Sequence, residues 1–238
     1  MITKLWNVAR FSERFLENYQ ITTERREFTP TDRWLLARLA SLLSRVTALF
    51  RSYEYAAAKS EIEHFFWHDL TDNYLEMCKE RLYGPASLLQ EGARYTLYHV
   101  LLSILKLFAP FLPYVTEEIY RGLFAIHEGS ASIHLTHWPI AHATWASTQA
   151  EESGEILIAV ATAVRRYKSE QSMALGTELS TLFCATQDTQ LLKMLEAAQL
   201  DILSVTRVRK LCIGVDLSFN AANEIWQKEG VLRIGLVL

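Results

Sequence analysis

The stretch that decides the fold is Phe65-Phe66-Trp67-His68-Asp69-Leu70-Thr71-Asp72-Asn73-Tyr74-Leu75-Glu76. It lies in the middle of a run, from about Tyr55 to Tyr83, that is predicted to form one long helix. The pair Gly84-Pro85 ends this helix, because the two residues together are a strong helix breaker.

Further helical patterns surround this central helix. A first helix is predicted over residues 2–19, where apolar residues recur at helical spacing, and residues 20–30 form a polar loop. Thr31 is the expected N-cap of a second helix that runs to about residue 52, with Asp32 favoured in its first turn by the helix dipole. Two more helices are expected, from about Ser87 to before Pro110 and from Val115 to Phe124. Short connections between such helices predict a mainly α fold with an up-and-down helix bundle over residues 1–150.

A second unit, a small α+β domain, is predicted over residues 151–238. Before it the pattern loosens, with an extended segment expected over residues 133–138. Helices are expected over 155–170 and 189–198, and short β-rich runs over 182–185, 202–205, 210–215 and 231–237. This order suggests two helices on a mainly antiparallel sheet.

Composition restricts the class of protein. The 238 residues are 50% hydrophobic and 21% charged, which is typical of a soluble globular chain of one large or two modest domains. No apolar run reaches the ~18 residues that a membrane span needs, and Arg10, Glu13 and Arg14 interrupt anything like a signal peptide. The three cysteines are odd in number and far apart, which argues against a disulfide framework and a metal site and favours a reducing cytoplasm.

Charge is unevenly distributed along the chain. The net charge is -3, but residues 1–60 hold ten Lys/Arg against six Asp/Glu, whereas residues 61–100 hold three against seven. A weakly acidic protein can still bind RNA through one basic surface. Ordinary charge scatter explains the same numbers.

The first helix carries the sharpest functional pattern. At 100° per residue, one line of this helix is shared by Lys4, Asn7, Phe11, Arg14 and Asn18. The opposite, core-facing side carries Ile2, Leu5, Ala9, Ser12 and Leu16. An exposed ring among cations and amides is suited to unstacked RNA, because the ring stacks on a base and the cations neutralise phosphate. The alternative is that Phe11 packs against a neighbouring helix. Arg10 on the flank is a weaker candidate.

Other polar groups have structural interpretations beside functional ones. Trp6, Trp34, Phe66 and Trp67 are expected in the core. Arg33 is a candidate RNA contact that also suits a carboxylate of the third helix, and Lys79 and Arg81 complement a helix dipole or contact phosphate. His64 and His68 stand at i, i+4, but without further ligands polar packing is favoured over zinc. No catalytic residue is predicted, since no Ser-His-Asp order, glycine-rich phosphate loop or HExxH occurs.

Taken with three other strings in order, the central stretch resembles the anticodon-binding domain of class I valyl-tRNA synthetases. The strings are Lys4 to Phe11 (KLWNVARF), Asp32 to Leu39 (DRWLLARL) and Ala109 to Tyr120 (APFLPYVTEEIY), with Ser132 to Pro139 closing the set. The segment from Val164 to Glu170 is similar to a region downstream of the bundle in the archaeal-like type. There the resemblance implies RNA contact by Arg165, Arg166 and Lys168, although a helix dipole alone also explains these cations.

The resemblance implies a role in protein biosynthesis: holding the anticodon stem-loop of valine tRNA, with middle A and last C. The HIGH-like and KMSKS-like signatures that this family uses to activate an amino acid are not in this sequence. We therefore expect a fragment or stand-alone relative without ligase activity. It would bind no cofactor itself, since ATP and valine would bind an upstream catalytic domain, which would be a further partner. Isoleucyl, leucyl or methionyl relatives, and a helical protein-binding scaffold without RNA affinity, are the alternatives.

Overall fold

A computed structural model describes residues 1–17, 19, 25–215 and 224–237 of the chain. The first part is a helix bundle, as predicted, followed by a small unit with a sheet. The bundle is built from α1 (Ile2–Leu16), α2 (Pro30–Arg51), α3 (Tyr55–His64), a π-helix (Phe65–Tyr74), α4 (Leu75–Tyr83), α5 (Leu88–Phe108), α6 (Pro113–Leu123) and α7 (Ala125–Glu128).

The deciding stretch is helical throughout, but its centre is wider than an α-helix. Residues Phe65–Tyr74 form a π-helix, and at its end the Leu75 N–H donates to the carbonyl of Leu70, five residues back. Within this segment Phe66, Leu70 and Tyr74 are completely buried. A spacing of four residues brings side chains to one face in either an α-helix or a π-helix, so the sequence pattern did not distinguish the two helix types.

The second helix begins two residues earlier than predicted. Its N-cap is Thr29, whose hydroxyl accepts from the Asp32 N–H at 3.4 Å, while the Asp32 carboxylate accepts from the Thr29 N–H at 3.0 Å. Pro30 takes the first helical position, where its missing N–H costs nothing. Thr31 is therefore not the N-cap, because the reciprocal pair with Asp32 is formed by Thr29.

The core of the bundle contains most of the predicted residues. Trp34 and Phe66 are buried, and α1 faces the core with Leu5, Val8, Ala9, Ser12, Phe15 and Leu16. Two predictions are wrong: Trp6 is 40% exposed and Ile2 is 55% exposed. Trp6 lies one residue from Leu5, so it is turned about 100° away from the core line and lines a groove against α6. Trp67 is only half-buried.

The segment after the bundle differs from the prediction. Residues Ile133–Leu135 form a 3-10 turn instead of an extended segment. The turn is stabilised locally, because the Ser132 hydroxyl accepts from the His134 N–H at 3.2 Å and the Glu117 carboxylate accepts from the Ile133 N–H at 2.9 Å.

The second unit is an α+β structure whose sheet is mainly antiparallel, as predicted. Its elements are α8 (Thr148–Glu170), β1 (Leu179–Ala185), α9 (Thr189–Ala197), α10 (Gln199–Thr206), β2 (Val208–Gly214), β3 (Glu224–Lys228) and β4 (Leu232–Val237). The strand order is β2-β1-β4-β3, with β1 and β2 parallel and the other pairs antiparallel. The strand predicted over 202–205 is wrong: this segment is α10, which packs on α4 and buries Asp201, Ile202 and Thr206. The strand β3 was not predicted.

Helix α8 connects the two units. Ser147 caps it, so it begins before the predicted boundary at residue 150, which falls in its first turn. Gly154 lies directly against the indole ring of Trp34, where a Cβ atom would overlap the ring. Glycine therefore allows α8 to approach α2 closely, and the same helix packs Leu157, Val160 and Val164 into the core of the second unit.

Candidate nucleic-acid interface

The predicted face of α1 is presented at the surface. Asn7, Arg10 and Arg14 are exposed, while Lys4 and Phe11 are half-buried. Asn18, the last residue of the predicted line, lies outside the described residues. The face is therefore polar and cationic along its length, opposite the buried side of the helix.

Phe11 is not the freely exposed ring that the sequence predicted. It packs on the bundle core, with its ring centroid 5.2 Å from that of Phe15 and 6.3 Å from that of Tyr83, both edge-to-face. The packing alternative thus accounts for much of this side chain. RNA contact by its remaining exposed edge stays a prediction.

The exposed ring at this place belongs to Tyr83, the last residue of α4. It is 56% exposed, and the Arg14 guanidinium lies 5.7 Å from its ring centre, with Nη1 3.4 Å from the phenol oxygen. An exposed ring with a cation at its edge can stack on a base and contact the adjacent phosphate. Tyr83 was not among the predicted site residues, although its place just before Gly84-Pro85 leaves no further helical turn to cover it.

Lys4 begins a second cationic surface. Its Nζ lies 5.5 Å from the centre of the Trp67 ring. It also lines a cleft of about 420 Å³ between α1, the π-helix and the ends of α8 and α10, together with Asp72, Arg165 and Arg207. Arg207 has a left-handed backbone, with φ of 59°, as the C-cap of α10. Arg207 was not predicted to line this cleft, because the segment before it was predicted to be a strand.

Arg165 and Arg166 differ in availability. Arg165 is half-buried and donates to Asn73 Oδ1 at 2.8 Å and to the Asp72 carbonyl at 2.5 Å, so it ties α8 to the π-helix. Burial lowers the pKa of Arg165 below its usual value. Arg166 is 75% exposed and pairs with Glu170 at 2.7 Å on the same helix. An exposed pair of this kind contributes little to stability, so Arg166 can exchange its partner for a phosphate.

Lys168, one of the predicted RNA contacts, is buried. It is 2% exposed, and its ammonium donates to the carbonyl oxygens of Leu175 and Thr206, both at 3.0 Å. Burial lowers the pKa of Lys168. The side chain therefore connects the end of α8 to the end of α10, which is a structural role.

Arg33 is exposed in the first turn of α2. The predicted ion pair with the long helix is made instead by Arg38, whose Nε lies 3.1 Å from Asp69. Arg33 faces a cleft between α2, α5 and the segment before α8.

Arg81 was predicted to complement the helix dipole or to contact phosphate, and the structure shows neither role. It is 3% exposed and lies between Asp32 of α2 and Asp201 of α10, with shortest distances of 2.8 and 2.7 Å. Burial opposes its charge, but the two carboxylates outweigh burial and raise the pKa of Arg81 above its usual value. The partner Asp201 was invisible to sequence analysis because it is 120 residues away.

Comparison with known proteins identifies the family. The model of the anticodon-binding domain of tRNA ligase matches residues 32–183, which include α2 to α8 and much of β1. The chain therefore belongs to the anticodon-binding domain family of tRNA ligases.

The similar curated proteins are valine–tRNA ligases. That of Thermococcus kodakarensis is 35% identical over 210 residues, covering 88% of this chain and 23% of the relative. That of Methanopyrus kandleri is 39% identical over 217 residues (89% and 23%), and that of Pyrococcus furiosus is 34% identical over 212 residues (88% and 24%). The chain thus spans about a quarter of the length of these relatives. In the described part of the chain, none of the helices has the length and apolar character of a membrane span.

Proposed function

We propose that this chain is the tRNA-binding portion of a valine–tRNA ligase and that it holds the anticodon stem-loop of valine tRNA. The observation that carries the proposal is the surface formed by Arg14 and Tyr83, where an exposed ring and an exposed cation stand together at the end of α4. Membership of the anticodon-binding family and the names of the relatives support RNA, and specifically valine tRNA, as the partner.

Each side chain of this surface has a distinct role in the proposal. Tyr83 stacks on a base turned out of the anticodon loop, since single-stranded RNA bases stack readily on aromatic rings. Arg14 holds the neighbouring phosphate. Asn7 and Arg10, further along the exposed face of α1, contact the next nucleotides, and Lys4 with Arg165 and Arg166 extends the cationic surface toward the second unit.

The acidic character of residues 61–100 does not favour a protein-binding scaffold over RNA binding. Most of these carboxylates are already paired within the chain: Glu61 with Arg45, Glu63 with Lys59, Asp69 with Arg38, Glu76 with Lys79 and Glu91 with Arg94. Their field is neutralised locally, so little unpaired negative charge is left to attract a basic partner.

A salt titration of tRNA binding tests the proposal. We expect the logarithm of the association constant for valine tRNA to fall steeply with the logarithm of salt concentration, because phosphate contacts release counterions. Arg14→Ala should reduce that slope by about one and weaken all tRNAs similarly. Arg121→Ala, an exposed cation in the last turn of α6, is the control and should leave the slope unchanged. A flat salt dependence for the unmodified chain would rule out RNA as its partner.

Chemistry is proposed to lie elsewhere in the parent protein. We expect the chain alone to show no valine-dependent exchange of pyrophosphate into ATP and no charging of tRNA. Exchange above background in a preparation free of host enzyme would overturn that expectation.

A further inference from the structure

A second cleft, away from the face of α1, has the chemistry of a nucleotide-binding site. It encloses about 500 Å³ between the start of α2, the first half of α5 and the segment that precedes α8. We call it the Arg33 cleft. The lining side chains that matter here are Arg26, Arg33, Tyr95, His142 and Trp145.

One wall of the Arg33 cleft carries a guanidinium group and neighbouring rings, of which Trp145 is buried and stands edge-to-face with Tyr95. The Arg26 guanidinium lies 4.0 Å from the centre of the Tyr95 ring. The Tyr95 and Trp145 rings are 6.5 Å apart, and the His142 and Trp145 rings are 6.0 Å apart. Guanidinium planes and aromatic rings are the surfaces on which unstacked RNA bases lie.

The described lining of the cleft carries charge of one sign. Two guanidinium groups line it, and no aspartate or glutamate does so among the residues that the structure describes. This distinguishes it from the cleft beside Lys4, where Asp72 and Glu76 are part of the lining. Along the described lining of the Arg33 cleft an anion meets no carboxylate, while Glu152 and Asp188 line an adjoining cleft that Arg33 also faces. Guanidinium groups match the geometry of phosphate oxygens.

The Arg33 cleft lies at the same end of the bundle as Tyr83. The Glu27 N–H donates to the Leu88 carbonyl at 3.0 Å, and Phe28 contacts Tyr95 with ring centres 5.4 Å apart, so the segment leading to α2 runs along the start of α5. The start of α5 follows directly on Tyr83 and Gly84, and Gln90 of α5 donates to the Gly84 carbonyl at 3.0 Å. One RNA strand can therefore meet both surfaces at this end.

We propose that the Arg33 cleft binds one nucleotide unit of the same RNA, with its phosphate between Arg33 and Arg26 and its base against the wall formed by Arg26, Tyr95 and His142. The inference rests on the proposed function, because it gives the tRNA a second contact outside the face of α1. It predicts that tRNA affinity depends on two separate surfaces at this end of the bundle, the Arg33 cleft and the face of α1 with Tyr83.

The test compares two variants of the cleft with two controls, using a valine tRNA transcript as the probe. Arg33→Ala removes one phosphate ligand, and Thr144→Glu places a carboxylate in the cleft at an exposed position without altering either arginine. The controls are Arg51→Ala and Ala57→Glu, exposed positions at the other end of α2 and the start of α3. Arg51 stands roughly 27 Å from Arg33 by helical rise.

We expect Arg33→Ala to weaken tRNA binding about tenfold, the loss expected for a charged hydrogen bond. Thr144→Glu should weaken it by a similar factor because its carboxylate repels the phosphate, and both variants should keep their melting temperatures. The salt slope of Arg33→Ala should fall by about 0.9. If both cleft variants match their controls while Arg14→Ala still weakens binding, the cleft inference fails and the proposed function stands. If the unmodified chain binds no tRNA, both fail.

Discussion

Removing the charge of Arg81 is predicted to be the most damaging single change to the way the two units hold together. All five N–H groups of its guanidinium have acceptors: Nε donates to Asp201, Nη1 to Asp32 and the Leu89 carbonyl, and Nη2 to both carboxylates. The Tyr74 hydroxyl also donates to Asp32 at 2.7 Å. The substitution Arg81→Met keeps much of the volume and leaves two buried carboxylates facing each other.

The magnitude follows from the charges. The cluster of Arg81, Asp32 and Asp201 has a formal net charge of -1, counted from one cation and two anions. Arg81→Met makes this charge more negative, -2, in a buried site. Breaking a buried pair in this way costs about 3–5 kcal/mol of unfolding free energy, or roughly 6–20 °C in melting temperature for a chain of this size. Asp201→Asn instead brings the net charge to zero and keeps Arg81 paired with Asp32. We therefore expect it to cost less than half as much.

Urea unfolding followed by circular dichroism measures both variants, with Arg45→Met as the control. Arg45 pairs with Glu61 at the solvent-exposed surface, and such exposed pairs contribute about 1 kcal/mol or less to stability. Hydrogen exchange in α10 should rise with Arg81→Met, since Asp201 connects that helix to α4. A cost of Arg81→Met no larger than that of Arg45→Met would refute the role of the buried charges, and so would an Asp201→Asn variant as damaging as Arg81→Met.

Three further predictions concern stability. Burial, aided by nearby Arg26, lowers the pKa of His99 to about 4. The folded state therefore binds a proton less readily than the unfolded chain, and the unfolding free energy should fall by up to roughly 3 kcal/mol as pH drops from about 6.5 to 4. His99→Gln should remove this part of the pH dependence. Equal pH profiles of stability for the variant and the unmodified chain would contradict this prediction. Gly154→Ala should lower the unfolding free energy by about 1–3 kcal/mol, because it forces a Cβ into Trp34. Gly122→Ala, where a Cβ meets open space, should instead stabilise α6 by about 0.5–1 kcal/mol. Similar melting temperatures for the two variants would contradict the close approach of α8 to α2. Lys168→Met should lower the melting temperature and leave tRNA affinity unchanged, and a reduced salt slope of tRNA binding in that variant would restore Lys168 as an RNA contact.

Local patterns predicted the helices well, since periodicity and breakers act over a few residues. The long helix, its end at Gly84 and the start near Ser87 depend on neighbours in sequence. The start of α8 was predicted at residue 155, whereas the helix begins at Thr148 behind a Ser147 cap. The N-cap of α2 was misplaced by two residues because Thr29 and Thr31 are both plausible caps, and the reciprocal bond with Asp32 selects the first. The segment of α10 reads as a strand from its branched residues, but the buried ion pair of Asp201 with Arg81 holds it as a helix against α4.

The candidate site was predictable as a face but not as a set of contacts. Helical geometry placed Asn7, Arg10 and Arg14 at the surface. Whether Phe11 or Tyr83 presents the exposed ring depends on how α1 packs on the end of α4, which sequence spacing does not encode. The burial of Lys168 was not predicted for the same reason, since the Thr206 carbonyl that accepts its hydrogen bond lies in another helix.

Binding of the chain to matched tRNA transcripts tests the central claim most directly. The transcripts are valine tRNA, valine tRNA with the middle A of its anticodon replaced, and the isoleucine, leucine and methionine tRNAs, all at one salt concentration. We predict that valine tRNA binds most tightly and that replacing the middle base weakens binding about 5- to 150-fold, as expected for loss of one stacked and recognised base. We also expect Tyr83→Leu to reduce this difference in affinity. Equal affinity for valine tRNA and its anticodon variant would contradict anticodon recognition by this chain.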